Sequence, residues 1–288
     1  MRIAQIGRGH GHALAKWEAL RANPDVEVAG LFDTAEEAHE ALADRSVVAV
    51  AVESRNHLSL AIAEAAIQAD KHLWLDKPAG DDWPRFQRLM HDAAERGLYV
   101  QMGYMFRYQP GFAGLAERVH AGQLGEVFGI RAHMSTSIDL AERREQSRHR
   151  GGILYDLGGH MIDQIVWLLG RPTTATSVVR NHATPELPNY SDNTVAVLEF
   201  KGALATIEIA AMETRPTKRR FEVFGTQGTA IVEPFDPGPD GLPRQVLYER
   251  ELVAFVGVVR DGKPPDRSAE HELLVQETLL HATGAIKR

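Results

Sequence analysis

Cysteine is absent from the 288 residues of this chain, which excludes disulfides, thiolate nucleophiles and cysteine-based zinc sites. Long hydrophobic runs are also missing, none approaching the roughly 18 residues that a membrane-crossing helix needs. Nor is positive charge in surplus: 32 lysines and arginines face 39 acids, for a formal net charge of −7. Broad attraction to nucleic acid or to an anionic membrane surface is therefore not expected. The first apolar run starts at Arg2, leaving no space for a signal peptide, so a cytoplasmic location is expected. What is present is an ordinary globular composition, 44% hydrophobic and 25% charged, in a chain long enough for two domains.

The opening segment carries the sharpest signal. Arg2 to Ile6 reads as a buried strand, followed at once by Gly7-Arg8-Gly9-His10-Gly11-His12. A helical pattern (Ala13, Leu14, Trp17, Leu20) comes next, then a second strand from Val26 to Phe32, ending on Asp33. Strand, glycine turn, helix, strand and acid answer the needs of a bound dinucleotide. The turn lets backbone N–H groups approach a pyrophosphate at the positive end of the helix, and the carboxylate accepts from the ribose hydroxyls. The motif departs from its usual form, because His12 stands at the third glycine position, where its ring could donate to a phosphate. Asp33 favours NAD over NADP. A 2′-phosphate beside it would meet repulsion of ~1–4 kcal/mol, and Thr34-Ala35 supplies no arginine to offset this.

Strand and helix patterns keep alternating up to about residue 105. Val47 to Val52, His72 to Leu75 and Leu98 to Gly103 read as further strands, with helices at 35–43, 57–69 and 82–96. Repeated units with short links imply a doubly wound parallel sheet, which binds ligands beyond the carboxyl ends of its strands. Gly7–His12, Glu53–His57 and Asp76–Pro78 end there, which places Ser54, Asn56, His57, Asp76 and Lys77 with the cofactor candidates; His57 reads equally as an ordinary first-turn residue. Past residue 105 the pattern changes to α+β. A helix at 112–121 leads to a strand at 126–135, and an arginine-rich stretch at 139–150 reads as a loop over a site or as a solvated surface run. Gly151 to Leu169 reads as an amphipathic helix. Runs rich in Val, Ile and Thr at 173–180, 193–200, 203–210, 219–225 and 228–233 read as an antiparallel sheet. A Pro/Gly-rich loop at 234–243 and two helices close the chain.

In the helix Gly151-Gly152-Ile153-Leu154-Tyr155-Asp156-Leu157-Gly158-Gly159-His160-Met161-Ile162-Asp163, Asp156 and His160 lie one turn apart on one face. A carboxylate so placed can fix the tautomer of an imidazole and raise its basicity, as a general base requires. Leu154, Leu157, Met161, Ile165 and Leu168 form the opposite, core-facing stripe, and Gly158 and Gly159 leave the polar face open to close approach. Asp156, His160 and Asp163 with His149 also offer metal ligands, but nothing else fixes a coordination geometry, and no metal is expected.

These segments resemble the Gfo/Idh/MocA family of glucose–fructose oxidoreductase- and inositol dehydrogenase-like proteins. Asp76-Lys77-Pro78 is similar to its Glu-Lys-Pro motif, and Gly151–Asp163 to its G-G-x-x-x-D-x-G-x-H-x-x-D motif. Gly103–Pro110 and Gly122–Glu126 are also similar to family segments. Asp76 replaces the family's glutamate, and Glu53 stands where a small or hydroxyl residue is common. The resemblance implies a Rossmann domain over residues 1–105 and an α+β domain over 106–288, whose open, mostly antiparallel sheet serves substrate binding and oligomerisation. It further implies NAD(P)-dependent oxidation of a sugar or polyol hydroxyl by Lys77, Asp156 and His160. On that reading His160 removes the hydroxyl proton, Lys77 places positive charge beside the developing alkoxide, and Asp156 orients His160 or holds a neighbouring hydroxyl. Whether Lys77 or His160 is the base stays open. Tyr155 joins the substrate set, and Arg107 either reaches the substrate or anchors the domain junction. Asp163 is read as structural. The partners expected are a small sugar or polyol and further copies of the chain, as a dimer or tetramer, with no nucleic acid or membrane. A redox-cycling lyase or glycosidase and a non-catalytic dinucleotide-binding regulator are the alternatives.

Overall fold

The computed structural model describes residues 1–214, 219–236 and 242–287, so 237–241 of the Pro/Gly-rich loop lie outside the described residues. Two compact units divide the chain: Met1–Met105 with Arg244–Leu273, and Phe106–Pro243 with Leu274–Arg288.

The first unit holds a five-stranded sheet of β1 (Arg2–Ile6), β2 (Glu27–Phe32), β3 (Val47–Val52), β4 (His72–Leu75) and β5 (Val100–Met102). The strands run in the order β2-β1-β3-β4-β5, every pair parallel. This is the doubly wound sheet that the alternating pattern implies. In β3, Ala49, Val50, Ala51 and Val52 have no exposed surface, as an unbroken apolar run covered on both faces requires. Crossover helices are α1 (Ala13–Ala22), α2 (His39–Ala43), α3 (Asn56–Gln68) and α4 (Trp83–Glu95). Asp82 caps α4 by accepting from the Arg85 N–H at 3.0 Å. The register aligns Ile6 with both Phe32 and Val52, and Val52 with Leu75. Gly7, Asp33, Glu53 and Asp76 therefore leave the sheet at one edge. The buried stripe of α1 is Ala13, Lys16, Ala19 and Leu20, whereas Leu14 is 61% exposed. Lys16 thus takes a core place that the apolar pattern alone gives to Leu14.

The second unit opens with a 3-10 turn (Met105–Tyr108), α5 (Pro110–His120), β6 (Val127–His133), α6 (Leu140–Gln146) and α7 (Ile153–Leu169). Strands β7 (Thr174–Arg180), β8 (Asn193–Glu199), β9 (Leu204–Ala210), β10 (Arg220–Gly225) and β11 (Gly228–Val232) follow. They form a six-stranded sheet in the order β11-β10-β6-β9-β8-β7. Only the β6–β9 pair is parallel. Residues alternate between buried and solvent-facing along β8 and β9, the period-2 signature of a sheet covered on one face. Phe112 packs edge-on against Phe221, and Phe106 against Phe235, both with ring centroids 5.2 Å apart.

Two local expectations are corrected here. The arginine-rich stretch is helical over Leu140–Gln146 rather than a loop, because Asp139 caps it, accepting from the Glu142 N–H at 2.9 Å. Glu142 in its first turn complements the helix dipole. Helix α7 is not one-sided: twelve of its residues are buried, whereas Leu157 and Leu168 from the expected stripe are only half-buried. Gly158 faces packing rather than an open approach, since an added Cβ would lie 2.9 Å from Leu154 Cδ1 and 3.4 Å from Leu279 Cδ1.

After the second sheet, α8 (Arg244–Asp261) lies against α1 in the first unit, where Gln245 Nε2 donates to the Ala15 carbonyl at 3.1 Å. Helix α9 (Ala269–Thr283) contains the division at Leu273.

Candidate active site

Gly7 adopts φ +101°, and its N–H donates to the Phe32 carbonyl at 2.7 Å. A Cβ there would lie 2.4 Å from the Ser54 nitrogen and 2.5 Å from the Glu53 carbonyl carbon, so the bend admits glycine alone. Gly9 N–H donates to the Glu53 carbonyl at 3.3 Å, which ties the turn to the end of β3. Beyond it, an added Cβ at Gly11 would meet nothing within 4 Å. His12 occupies the N-cap of α1 without a side-chain capping bond. Open space beside the positive end of a ten-residue helix fits a pyrophosphate. Burial pushes the His12 imidazole down to about 3, so it stays neutral there and has one ring N–H to donate.

Asp33 follows β2 with its side chain 53% exposed, forming an ion pair with Arg8 from the glycine turn. An arginine absent from the residues after Asp33 is thus delivered by the neighbouring strand, because β1 and β2 are parallel and in register. Ser54 is buried, Asn56 begins α3, and His57 is exposed.

Behind the turn lies a buried cluster of charges. Lys16, 1% exposed, reaches Asp76 Oδ1 at 3.0 Å, Glu53 Oε1 at 3.1 Å and Glu251 Oε2 at 3.8 Å. Its ammonium stands 4.7 Å from the centre of the Trp74 ring. His10 Nε2 lies 3.2 Å from both Glu53 Oε2 and Asp76 Oδ2. Burial alone would lower the lysine and the histidine. The surrounding carboxylates outweigh it, holding Lys16 well above its ordinary value and raising His10. Burial likewise acts to raise Asp76, and the Lys16 charge overrides it, keeping the carboxyl far below its usual range. Ring nitrogens of His10 and His12 and an oxygen of Asp76 come within 4.8 Å of one another. The Lys16 ammonium on Asp76 and the Glu53 carboxylate beside His10 already engage two of these three. Lys77 follows Asp76 directly and is 3% exposed.

In the second unit, α7 presents Tyr155, Asp156, His160 and Asp163. His160 is buried edge-on against Phe106, ring centroids 5.0 Å apart. Tyr155 stacks on His149 at 4.4 Å. Asp156 accepts from Gln146 Nε2 at 2.9 Å, and Gln146 Oε1 accepts from the Tyr190 hydroxyl at 2.7 Å. Burial and then the Asp156 charge push the Tyr190 phenol upward, so it remains a donor. Arg107 meets Asp163 as a fork, Nε at 3.0 Å and Nη2 at 2.7 Å from Oδ1, with both side chains buried. Asp163 thus pairs with arginine, and the Arg107 guanidinium makes an anchoring contact.

The description "GFO/IDH/MocA C-terminal domain" belongs to a family model that matches residues 112–231. The scyllo-inositol 2-dehydrogenase (NAD(+)) of Bacillus subtilis is 26% identical over 265 residues, covering 85% of this chain and 77% of that protein. Over residues 112–231 the chain is similar to the Gfo/Idh/MocA family. Solved structures share its fold. GenD2 from gentamicin A biosynthesis, in complex with NAD, has a TM-score of 0.86 at 24% identity over 99% of this chain and 93% of that one. The scyllo-inositol dehydrogenase of Lactobacillus casei, with bound NAD(H) and scyllo-inositol, has a TM-score of 0.82 at 19% identity, covering 99% and 96%.

Sequence reasoning missed Lys16, Glu251 and Gln146. Lys16 had a usable signal, since it falls on the 13, 16, 19/20 stripe of α1. Gln146 and Glu251 had none, because their partners lie 10 and 235 residues away in sequence.

Proposed function

We propose that the protein is an NAD-dependent oxidoreductase that transfers a hydride from a secondary hydroxyl of a sugar or polyol. The observation that carries this reading is the match of residues 112–231 to the Gfo/Idh/MocA C-terminal domain, together with the similarity to an NAD-dependent inositol dehydrogenase. The glycine turn, the open N-terminus of α1 and Asp33 fit a dinucleotide, with the backbone at Gly7, Gly9 and Gly11 toward the pyrophosphate and Asp33 toward the adenosine ribose. NAD, when bound, supplies the hydride acceptor. The chain's own residues handle the proton. His160, buried and braced by Phe106, takes the hydroxyl proton; Lys77 sets a preorganised positive charge against the alkoxide, a contribution commonly of several kcal/mol. Asp156, fixed by the Gln146–Tyr190 chain, orients the imidazole or a neighbouring hydroxyl.

The test is net NADH formation on a panel of cyclic polyols, aldoses and sugar acids. Net formation distinguishes a dehydrogenase from a redox-cycling lyase, which returns the hydride. His160→Ala should abolish turnover while NADH affinity stays near the wild-type value. Wild-type turnover in that variant would refute the assignment.

Two further parts of the reading concern the whole protein. No helix among the described residues is long and apolar enough to cross a membrane, and we place the enzyme in the cytoplasm, where NAD is held. We also place it in a homo-oligomer, because the sheet of the second unit exposes Val178, Val195, Leu204 and Ile231 on its strands.

A further inference from the structure

We propose that Lys16 is a positioning residue for the reaction: its buried ammonium fixes the Asp76 carboxylate and so sets the place of the adjacent Lys77. This rests on the reading of Lys77 as the group beside the alkoxide.

Four observations converge on it, all within the first unit. Lys16 projects from the first half of α1 into the core and is 1% exposed, a position that a lysine occupies only when its charge is met. Three carboxylates from three separate elements meet it: Glu53 after β3, Asp76 after β4 and Glu251 on α8. Asp76 is gripped on both oxygens, Oδ1 by Lys16 and Oδ2 by His10, so its carboxylate plane cannot rotate freely. Finally, the backbone is closed in behind it: a Cβ at Gly103 would lie 2.8 Å from Lys16 Nζ and 2.9 Å from Asp76 Oδ1. Aspartate is a methylene shorter than glutamate, and here the lysine comes to it through the helix. Lys77 is one peptide bond away from the clamped residue, so a turn of Asp76 carries Lys77 with it.

Lys16→Met removes the clamp and takes the lysine charge from among three buried carboxylates. The double variant Lys16→Met/Glu53→Gln removes one charge of each sign and keeps the test open if the single variant does not fold. In either variant kcat for a polyol that the wild type oxidises should fall on the order of 10- to 100-fold, the scale of a misplaced catalytic group. The polyol KM and the NADH dissociation constant should change by no more than roughly 3-fold, since the clamp lies behind the turn and acts on geometry rather than on ligand contact. The deuterium isotope effect on kcat should rise as the chemical step becomes slower, and Lys16→Arg should recover part of the rate. A double variant with wild-type kcat, an unchanged isotope effect and an unmoved Asp76–Lys77 turn in its crystal structure would overturn the proposal and leave Lys16 a folding residue. If the wild type binds NADH but oxidises nothing in the panel, the functional reading fails by itself. Lys16 is then decided by the crystal structure alone: displacement of Asp76 and Lys77 supports it, and their wild-type placement rejects it.

Discussion

At Asp33 two opposed preferences meet in one ion pair. The carboxylate accepts from ribose hydroxyls and repels a 2′-phosphate, yet the guanidinium beside it is the side chain that a 2′-phosphate would seek. With Asp33 in place, Arg8 is held by its partner. Asp33→Ser removes the repulsion and releases Arg8 at the same spot. The NADP-to-NAD ratio of kcat/KM should therefore rise on the order of 10- to 100-fold, within the ~1–4 kcal/mol of a like-charge contact near a surface. Arg8→Ala in the same background should reverse most of the gain, and steady-state kinetics with both cofactors checks it. His12 gives a second residue-scale expectation. Its imidazole is held to about 3 in the fold by burial, against about 6.5 in an unfolded chain. Between those values the unfolded chain takes up a proton that the folded chain refuses, so stability falls as the pH drops through that window. His12→Gln should flatten the fall, measured as urea midpoints at pH 7 and pH 5. His10 works in the other direction: its raised value favours the folded state below about 6.5 and yields that benefit as the pH rises further.

The elements differ in how much of them a sequence shows, for physical reasons. The parallel strands are legible because burial on both faces demands runs such as Val47–Val52, and turn residues mark their ends. Helix α6 is not, because Glu142, Arg143, Arg144 and Glu145 carry the charge of a solvated loop. Its cap, Asp139, and the first-turn Glu142 are visible only once a helix is already suspected. Likewise α7 reads as amphipathic from the motif Asp156–His160–Asp163, yet His160 and Asp163 are buried and Asp156 is half-buried against Gln146. The candidate catalytic residues are legible as a motif, while the Gln146, Tyr190 and Arg107 contacts that hold α7 join segments far apart in sequence. The Arg107–Asp163 fork fixes the 3-10 turn Met105–Tyr108, and with it Phe106 and the ring edge against His160. Breaking a buried pair from one side leaves an uncompensated charge. Arg107→Met should cost about 3–5 kcal/mol of unfolding free energy, read from denaturant titration, and lower turnover through the loosened Phe106–His160 contact.

At the scale of the whole molecule, the chain leaves its first unit at Met105 and returns at Arg244. The Pro/Gly-rich run at 234–243 marks a break before α8 but does not say which unit the next helix joins, so the sequence does not reveal the return. The sheet between these points has one face packed by α7 and α5, and on the other face hydrophobic side chains stand among charged ones. Val178 pairs with Val195 across β7 and β8, at 58% and 38% exposure, and Leu204 on β9 is 50% exposed. Exposed hydrophobic side chains on one sheet face, with Val178 and Val195 directly paired, suit an interface. A second copy of the same face is the occupant that a two-fold contact supplies, because each apolar strand then meets its own equivalent. Val178→Glu with Val195→Lys tests this without opposing the fold, since the introduced charges sit directly across the strand pair and attract, and the lysine also stands opposite Glu208 of β9. Wild-type protein should run as a dimer or tetramer by light scattering, and the double variant at the monomer mass. Its unfolding midpoint should also lose the dependence on protein concentration that an associating chain shows. A wild-type monomer at high concentration would rule out self-association through this sheet.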